Sequence, residues 1–289
     1  MSKTAIEAKN LAEPGKSKGL LEVFSRRYLL KLLVHKELRA RYRGSVLGML
    51  WSYAKPAMQF TVFYFALGVF LKMNRAVDNY AIYLFSGVIM INYFSEVFGN
   101  CTRSVVGNAA LVKKIYLPRE LFPVSSVFVG IAHFLPQLVV LLVGALIYGW
   151  VPTFSSILAL ILAFSIVTIF ALGLGILFAA LNVLFRDAEN FVDIILMITT
   201  WICPVLYSWH NVYDVFQGTV YWKLYQLNPL APAVELFHEA FWSPTLSTPS
   251  DNPARMWEWG LIALVTSFIF LIIGELVFRK LDKRFAQEL

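Results

Sequence analysis

LFPVSSVFVGIAHFLPQLVVLLVGALIYGWVPTFSSILALILAFSIVTIFALGLGILFAALNVLF, residues 121–185, runs for 65 positions without an Asp, Glu, Lys or Arg. A hydrocarbon core about 30 Å thick is crossed by roughly 20 apolar residues in a helix, so this stretch is long enough to cross twice. Gly149-Trp150-Val151-Pro152 supplies turn-forming residues near its middle. It separates Leu121–Tyr148 from Phe154–Phe185.

Gaps between charges mark four more crossings outward from this pair. These are about Gly44–Leu71, Asn79–Phe98, Phe191–Trp209 and Trp257–Phe278. The 289 residues are 58% apolar and 15% charged, whereas soluble domains run at about 45–50% and about 25%. There is too little polar side chain to cover a globule in water, and disorder needs the opposite balance. The spans are helices, since a lipid-facing backbone must satisfy its own hydrogen bonds and the alternating segments of a β-barrel are absent. The expected fold is an all-α integral membrane protein with six transmembrane helices. Cys101 and Cys203, both in apolar segments, read as packing residues rather than a disulfide framework. The polar, basic start carries no cleavable-signal pattern.

Basic residues set the orientation. Of the 25 Lys and Arg, eleven precede Ser45, and the loops after spans two and four and the C-terminal segment bring that face to twenty. The positive-inside rule puts this face, with both termini, in the cytoplasm. Residues 1–19 then form a polar cytoplasmic tail, 20–43 a surface helix, 44–279 the transmembrane domain, and 280–289 a second cytoplasmic tail. The segment at about 210–256 lies outside. Its aromatic residues, including Trp222, Tyr225, Phe237 and Trp242, leave two readings: short re-entrant helices, or a cap anchored on the membrane surface.

Within residues 20–43, Leu30, Val34, Leu38 and Tyr42 form an apolar stripe, with Arg27, Lys31, His35, Arg39 and Arg43 on an adjacent one. Such a helix rests in the membrane surface with its basic side toward headgroups, each basic residue contributing about 1 kcal/mol at an anionic surface. Arg39, Arg41 and Arg43 are candidates for gripping a phosphorylated lipid, beside the plainer role of topology anchor. Lys55, next to the kink-forming Pro56, either snorkels to the cytoplasmic headgroups or faces the interior as a pyrophosphate or pore contact. Asp193 is placed to pair with Arg186 or to stand at the cytoplasmic mouth. In the loop from Gly107 to Arg119, Asn108 suits an N-cap and Pro118 limits the helix after it. Leu111 and Ile115 lie one turn apart beside Lys113 and Lys114.

The run Lys-Glu-Leu-Arg-Ala-Arg-Tyr-Arg-Gly-Ser-Val-Leu-Gly-Met-Leu-Trp at 36–51, followed by Pro56, resembles the entry to span one in membrane subunits of bacterial type-2 ABC exporters of polysaccharides, the O-antigen and teichoic-acid group. The Asn108…Leu111…Lys114…Pro118-Arg119 spacing resembles that family's coupling helix, and Asn228-Pro229 its outer re-entrant segment. The Arg expected about ten residues after that Asn-Pro is replaced by His238 and Glu239. The resemblance implies a homodimer in the bacterial inner membrane, bound to two copies of a separate ABC ATPase that uses ATP and Mg. It also implies a polyprenyl-pyrophosphate-linked polysaccharide as substrate. By that likeness Asn108, Leu111, Lys113, Lys114, Pro118 and Arg119 contact the ATPase, while spans one and five border the substrate route.

Sugar C–H faces pack on aromatic rings, so Trp51, Tyr53, Phe60, Tyr64, Trp201, Tyr207 and Trp209 are candidates for the polymer path. Aromatics near span ends also form interfacial belts. No cofactor or nucleic-acid site is expected in this chain. Gly15-Lys16-Ser17 ends like a Walker A loop, but Asn10 stands where that loop needs Gly. Two other functions remain open: a type-2 ABC exporter of a drug or small lipid, and a membrane enzyme acting on polyprenyl-linked sugars, for which Asp187 and Glu189 are the close carboxylate pair.

Overall fold

A computed structural model describes residues 19–114, 117–247, 253 and 255–289. Those residues form a helical bundle with no strand among them. The polar N-terminal tail expected at 1–19 lies outside the described residues up to Gly19, and so does the Leu111–Ile115 pairing, through Ile115.

Among the described residues, four helices are long and apolar enough to cross a membrane: α4 (Tyr80–Gly107), α6 (Leu121–Ile147), α7 (Phe154–Leu184) and α12 (Met256–Leu281, helical on to Arg284). The turn at 149–152 falls where the sequence puts it. After it, Thr153 Oγ1 accepts from Ser156 N at 3.1 Å, a side-chain cap that starts α7.

The other two expected spans are helical but differ from the reading. The first begins as a short turn, Gly48–Leu50, continues as α3 (Trp51–Phe63), and widens into a π-helix over Tyr64–Phe70. The fifth, α8, runs Asp187–Ile202 rather than Phe191–Trp209. Its 16 residues rise about 24 Å, short of a hydrocarbon core. Pro204, which cannot donate a backbone bond, comes just after the break, and two tyrosines of α4 hold the chain beyond it. Tyr80 Oη donates to Leu206 O at 3.3 Å, and Tyr83 Oη shares its proton between Pro204 O (3.0 Å) and Tyr207 O (2.8 Å). Apolarity continues past the helix, so hydropathy alone overshoots its end.

α4 is the innermost span, 72% buried over its apolar window against 22% for α12. Small residues let α7 seat between its neighbours. A Cβ on Gly175 would stand 2.3 Å from Cys101 Cβ of α4, and one on Gly274 of α12 would stand 2.3 Å from Gly173 O of α7. Close backbone approach of this kind replaces the hydrophobic driving force that helices lack in lipid.

Between α8 and α12 come α9 (Trp209–Phe216), α10 (Val220–Leu227) and α11 (Leu230–Phe241). Asn228 Oδ1 accepts from Leu230 N at 3.2 Å, and Pro229 enters α11 with φ −60°, the angle its ring imposes. α11 is buried along almost its whole length against α4, α7 and α12.

At the opposite end, α1 (Leu20–Ser25) and α2 (Arg27–Tyr42) lie against α6. A second, smaller core forms there from Val23 and Leu33, Val112 of the short helix α5 (Ala109–Lys114), Leu121, Phe122, Phe278 and Phe285. The C-terminal segment is therefore not a free tail. Asp282–Arg284 turns it and α13 (Phe285–Glu288) tucks beneath the bundle, because Phe285 is an apolar residue with a core to join.

Candidate functional site

A polar cavity of about 680 Å³ opens at the end of the bundle that carries α2. Its walls come from the end of α2, the start of α3, the second half of α4 and the middle of α6. Three cations line it: Arg41, Lys55 and Arg103. Trp51, Gln59 and Asn92 add an aromatic and an amide rim, and Asn92 Nδ2 donates to Gln59 Oε1 at 3.0 Å, tying α3 to α4.

Two of the cations already hold carboxylates. Arg41 Nη1 donates to Glu96 Oε1, and its Nη2 reaches Asn100 Oδ1 at 3.3 Å. His133, buried on α6, joins the same group: its Nδ1 lies 2.5 Å from Glu96 Oε1 and 2.7 Å from Arg41 Nη1. Its Nε2 lies 2.7 Å from Tyr42 Oη, which in turn meets Ser52 Oγ at 2.7 Å. Arg103 bridges α4 to α8, donating through Nε to Glu189 Oε1 (2.5 Å) and through Nη2 to Asp193 Oδ1 (2.6 Å). Asp193 thus pairs with Arg103 rather than Arg186, one helix away instead of within its own segment. Glu189, half of the carboxylate pair considered for sugar chemistry, is committed to the same guanidinium. Among the described residues, Lys55 has no carboxylate within ion-pair distance and is exposed to the cavity. Ionisable groups at membrane depth are costly and mark functional paths.

The sequence-selected residues divide. Arg41, Lys55 and Trp51 meet in the cavity. Arg39 faces away, in a shallow groove with Tyr28, Lys31 and His35, and Arg43 is exposed beyond the end of α2. Tyr53 lies on an apolar surface with Leu135, Pro136 and Val139 of α6. Phe60 and Tyr64 stack on each other at 5.7 Å and pack inward on Phe85 and Tyr80 of α4. Trp201 is exposed on α8, and Tyr207 Oη returns to Trp201 O at 2.8 Å. Trp209 belongs to a separate aromatic cluster with His210, Tyr213 and Trp222. Arg103, Asn100 and His133 are cavity residues that sequence reasoning misses. Polar residues recurring within apolar helices are the available signal, but they do not reveal which helices meet.

At α5, Lys113 and Lys114 are exposed, Leu111 is half-buried and Val112 is buried in the smaller core. Asn108 precedes the helix as expected, and its backbone O accepts from Leu111 N and Val112 N. Its side chain does not cap. Instead Nδ2 donates to Ser104 O (2.8 Å) and Glu37 Oε1 (3.3 Å), while Oδ1 accepts from Lys36 Nζ. Pro118 is buried after the helix ends. Arg119 turns inward: Nη1 donates to Asp282 Oδ1 at 2.8 Å and to Asp282 O, and its guanidinium stands 5.6 Å over the Phe285 ring. Among the described residues no three His, Cys, Asp or Glu side chains gather as metal ligands would.

A bundle of apolar helices with a charged cavity open at one end, and a short helix packed at that same end, suits a membrane transport component. The chain belongs to the ABC-2 type transporter family, which matches residues 28–242. It is similar to the O-antigen export system permease protein RfbA of Klebsiella pneumoniae, 30% identical over 259 residues that cover 90% of this chain and 94% of that one. RfbA of Myxococcus xanthus is 28% identical over 269 residues, covering 93% and 98%. The polysialic acid transport protein KpsM of Escherichia coli is 24% identical over 218 residues, covering 73% and 80%.

Proposed function

We propose that this chain is the membrane subunit of a bacterial inner-membrane exporter that moves a polysaccharide attached to a polyprenyl pyrophosphate. The observation that carries the reading is the cavity, where Arg41, Lys55 and Arg103 stand beside Trp51 at the mouth of an otherwise apolar bundle. Guanidinium and ammonium groups suit a pyrophosphate, and an indole suits the attached sugar. Relatives named for O-antigen export and polysialic acid transport support a glycan cargo.

In this proposal the chain crosses the membrane six times, α3 with its π-helical continuation and α8 serving as the two shorter crossings. The basic end, with both termini, faces the cytoplasm, and α9–α11 form the outer, partly re-entrant segment. Two copies pair, and each takes one ABC ATPase, which binds ATP and Mg. Lys113 and Lys114, exposed on α5, are the docking charges. The headgroup enters at Lys55, the glycan passes between the two copies, and hydrolysis in the partner drives α5.

The test is reconstitution of the chain with its ATPase in vesicles, scoring delivery of lipid-linked glycan into the lumen. Lys55→Gln is expected to lower delivery at unchanged assembly. Wild-type delivery by Lys55→Gln, or turnover of a nucleotide sugar by the isolated chain, overturns the proposal.

A further inference from the structure

Resting on that reading, we infer that Glu96 is a resident counter-anion which the entering phosphate displaces from Arg41, and that this exchange unfastens the end of α2 and reports that the cavity is occupied.

The fastening at this point is polar and compact. Arg41 and Tyr42 close α2, and both reach His133 of α6, while Arg41 also holds Glu96 and Asn100 of α4. The Arg41 and Glu96 side chains are 37% and 23% exposed, so a ligand in the cavity can reach them. Beyond Tyr42 the chain is open. Residues 43–47 are exposed, and Gly44 has φ +76°, in the left-handed region that glycine enters at no steric cost. In this proposal that exposed turn, directly after the charged lock, is the hinge that takes up the movement of α2.

Farther back, α2 is held separately. Lys36 and Glu37 engage Asn108 at the start of α5, and Leu33 is buried in the smaller core. Releasing Arg41 thus leaves the last turn of α2 held by Tyr42 alone, through His133 and Ser52, while its middle stays tied to α5, the helix that the proposed ATPase contacts. The chemistry favours exchange. A carboxylate and a phosphate compete for the same guanidinium, and the phosphate brings more negative charge and more acceptor oxygens. Lys55 attracts it without a competing carboxylate of its own. Arg103, held by both Glu189 and Asp193, is the harder cation to free.

This assignment makes an inverted prediction. If Glu96 merely supported the site, removing its charge would weaken binding. As a competitor, its loss tightens it. The full-length chain in nanodiscs is titrated with farnesyl pyrophosphate and, in parallel, with inorganic pyrophosphate, tracking the fluorescence of Trp51 against a Trp51→Phe control. Glu96→Gln is expected to bind the prenyl probe on the order of five- to tenfold more tightly than wild type, and Arg41→Gln more weakly. A tryptic cut after the exposed Arg43 reports the hinge. In wild type it quickens on adding probe, whereas in both variants it is fast from the start. The paired variants separate a released latch from a damaged fold, because they share the hinge behaviour and differ in the sign of the affinity change. Weaker binding by Glu96→Gln, or wild-type cleavage in it, overturns the latch alone. No binding of either probe by any of the three proteins overturns the headgroup reading beneath it.

Discussion

Arg119 and Asp282 offer a test whose size comes from their burial. Their side chains are 18% and 9% exposed, the contact is 2.8 Å, and the same guanidinium covers Phe285. Replacing Arg119 with Met leaves a buried carboxylate with no cation, a loss of about 3 kcal/mol, the low end for a broken buried pair because Arg119 keeps some solvent contact. For a chain of this size that lowers the midpoint of thermal unfolding by roughly 5 °C. Arg119→Met together with Asp282→Leu removes both charges and lets apolar atoms fill the space, so the double variant is expected within about 1 kcal/mol of wild type. Asp282→Leu alone is expected to cost at most about 1 kcal/mol, since Arg119 keeps some solvent contact, so the interaction energy from the cycle is about 2–4 kcal/mol. The assay is thermal unfolding of the detergent-solubilised protein, monitored by intrinsic fluorescence and read as the four corners of the cycle. If Arg119→Met shifts the midpoint by less than about 1 °C, or if the two single effects simply add, the clamp between the α5–α6 loop and the C-terminal segment does not exist.

Two further outcomes are expected. Gly274→Val puts a side chain against Gly173 O where a Cβ alone would stand 2.3 Å away. α7 and α12 must part, costing about 1–3 kcal/mol. Gly144→Ala, whose Cβ meets Ile82 Cδ1 at an ordinary 3.4 Å, is the control, and equal thermal stability of the two refutes the close crossing. Tyr83→Phe removes the proton shared by Pro204 O and Tyr207 O. Leaving the buried Pro204 carbonyl and the half-buried Tyr207 carbonyl without their donor costs about 1–3 kcal/mol, and hydrogen exchange over residues 203–208 is expected to quicken. Wild-type protection there refutes the role given to this tyrosine.

How far the sequence can be read depends on which force decides each feature. Helices α4, α6, α7 and α12 are legible because a long apolar run with few charges has few alternatives to a spanning helix. The ends of α8 are not, since Cys203–Tyr207 is as apolar as a helix and is shaped by hydrogen bonds from tyrosines more than 120 positions away. The same limit applies to the candidate site. Arg41 and Lys55 can be singled out by charge in or near an apolar setting, but Glu96, Arg103 and His133 acquire their meaning from one another across helices. Asn108 and Arg119 carry the same lesson, because their side chains fasten α2 and the C-terminal segment to the two sides of α5, contacts that their spacing in the sequence does not reveal.

The sequence alone determined that this chain is a helical membrane protein and where its longest helices lie, because hydropathy and charge act locally and each stretch settles its own state. Tertiary structure alone decided which charges face which. In a bundle the pairing of ionisable groups depends on helix rotation and neighbour choice, and the small residues at the crossings, Gly173 and Gly274 among them, fix those by how closely they let two backbones approach.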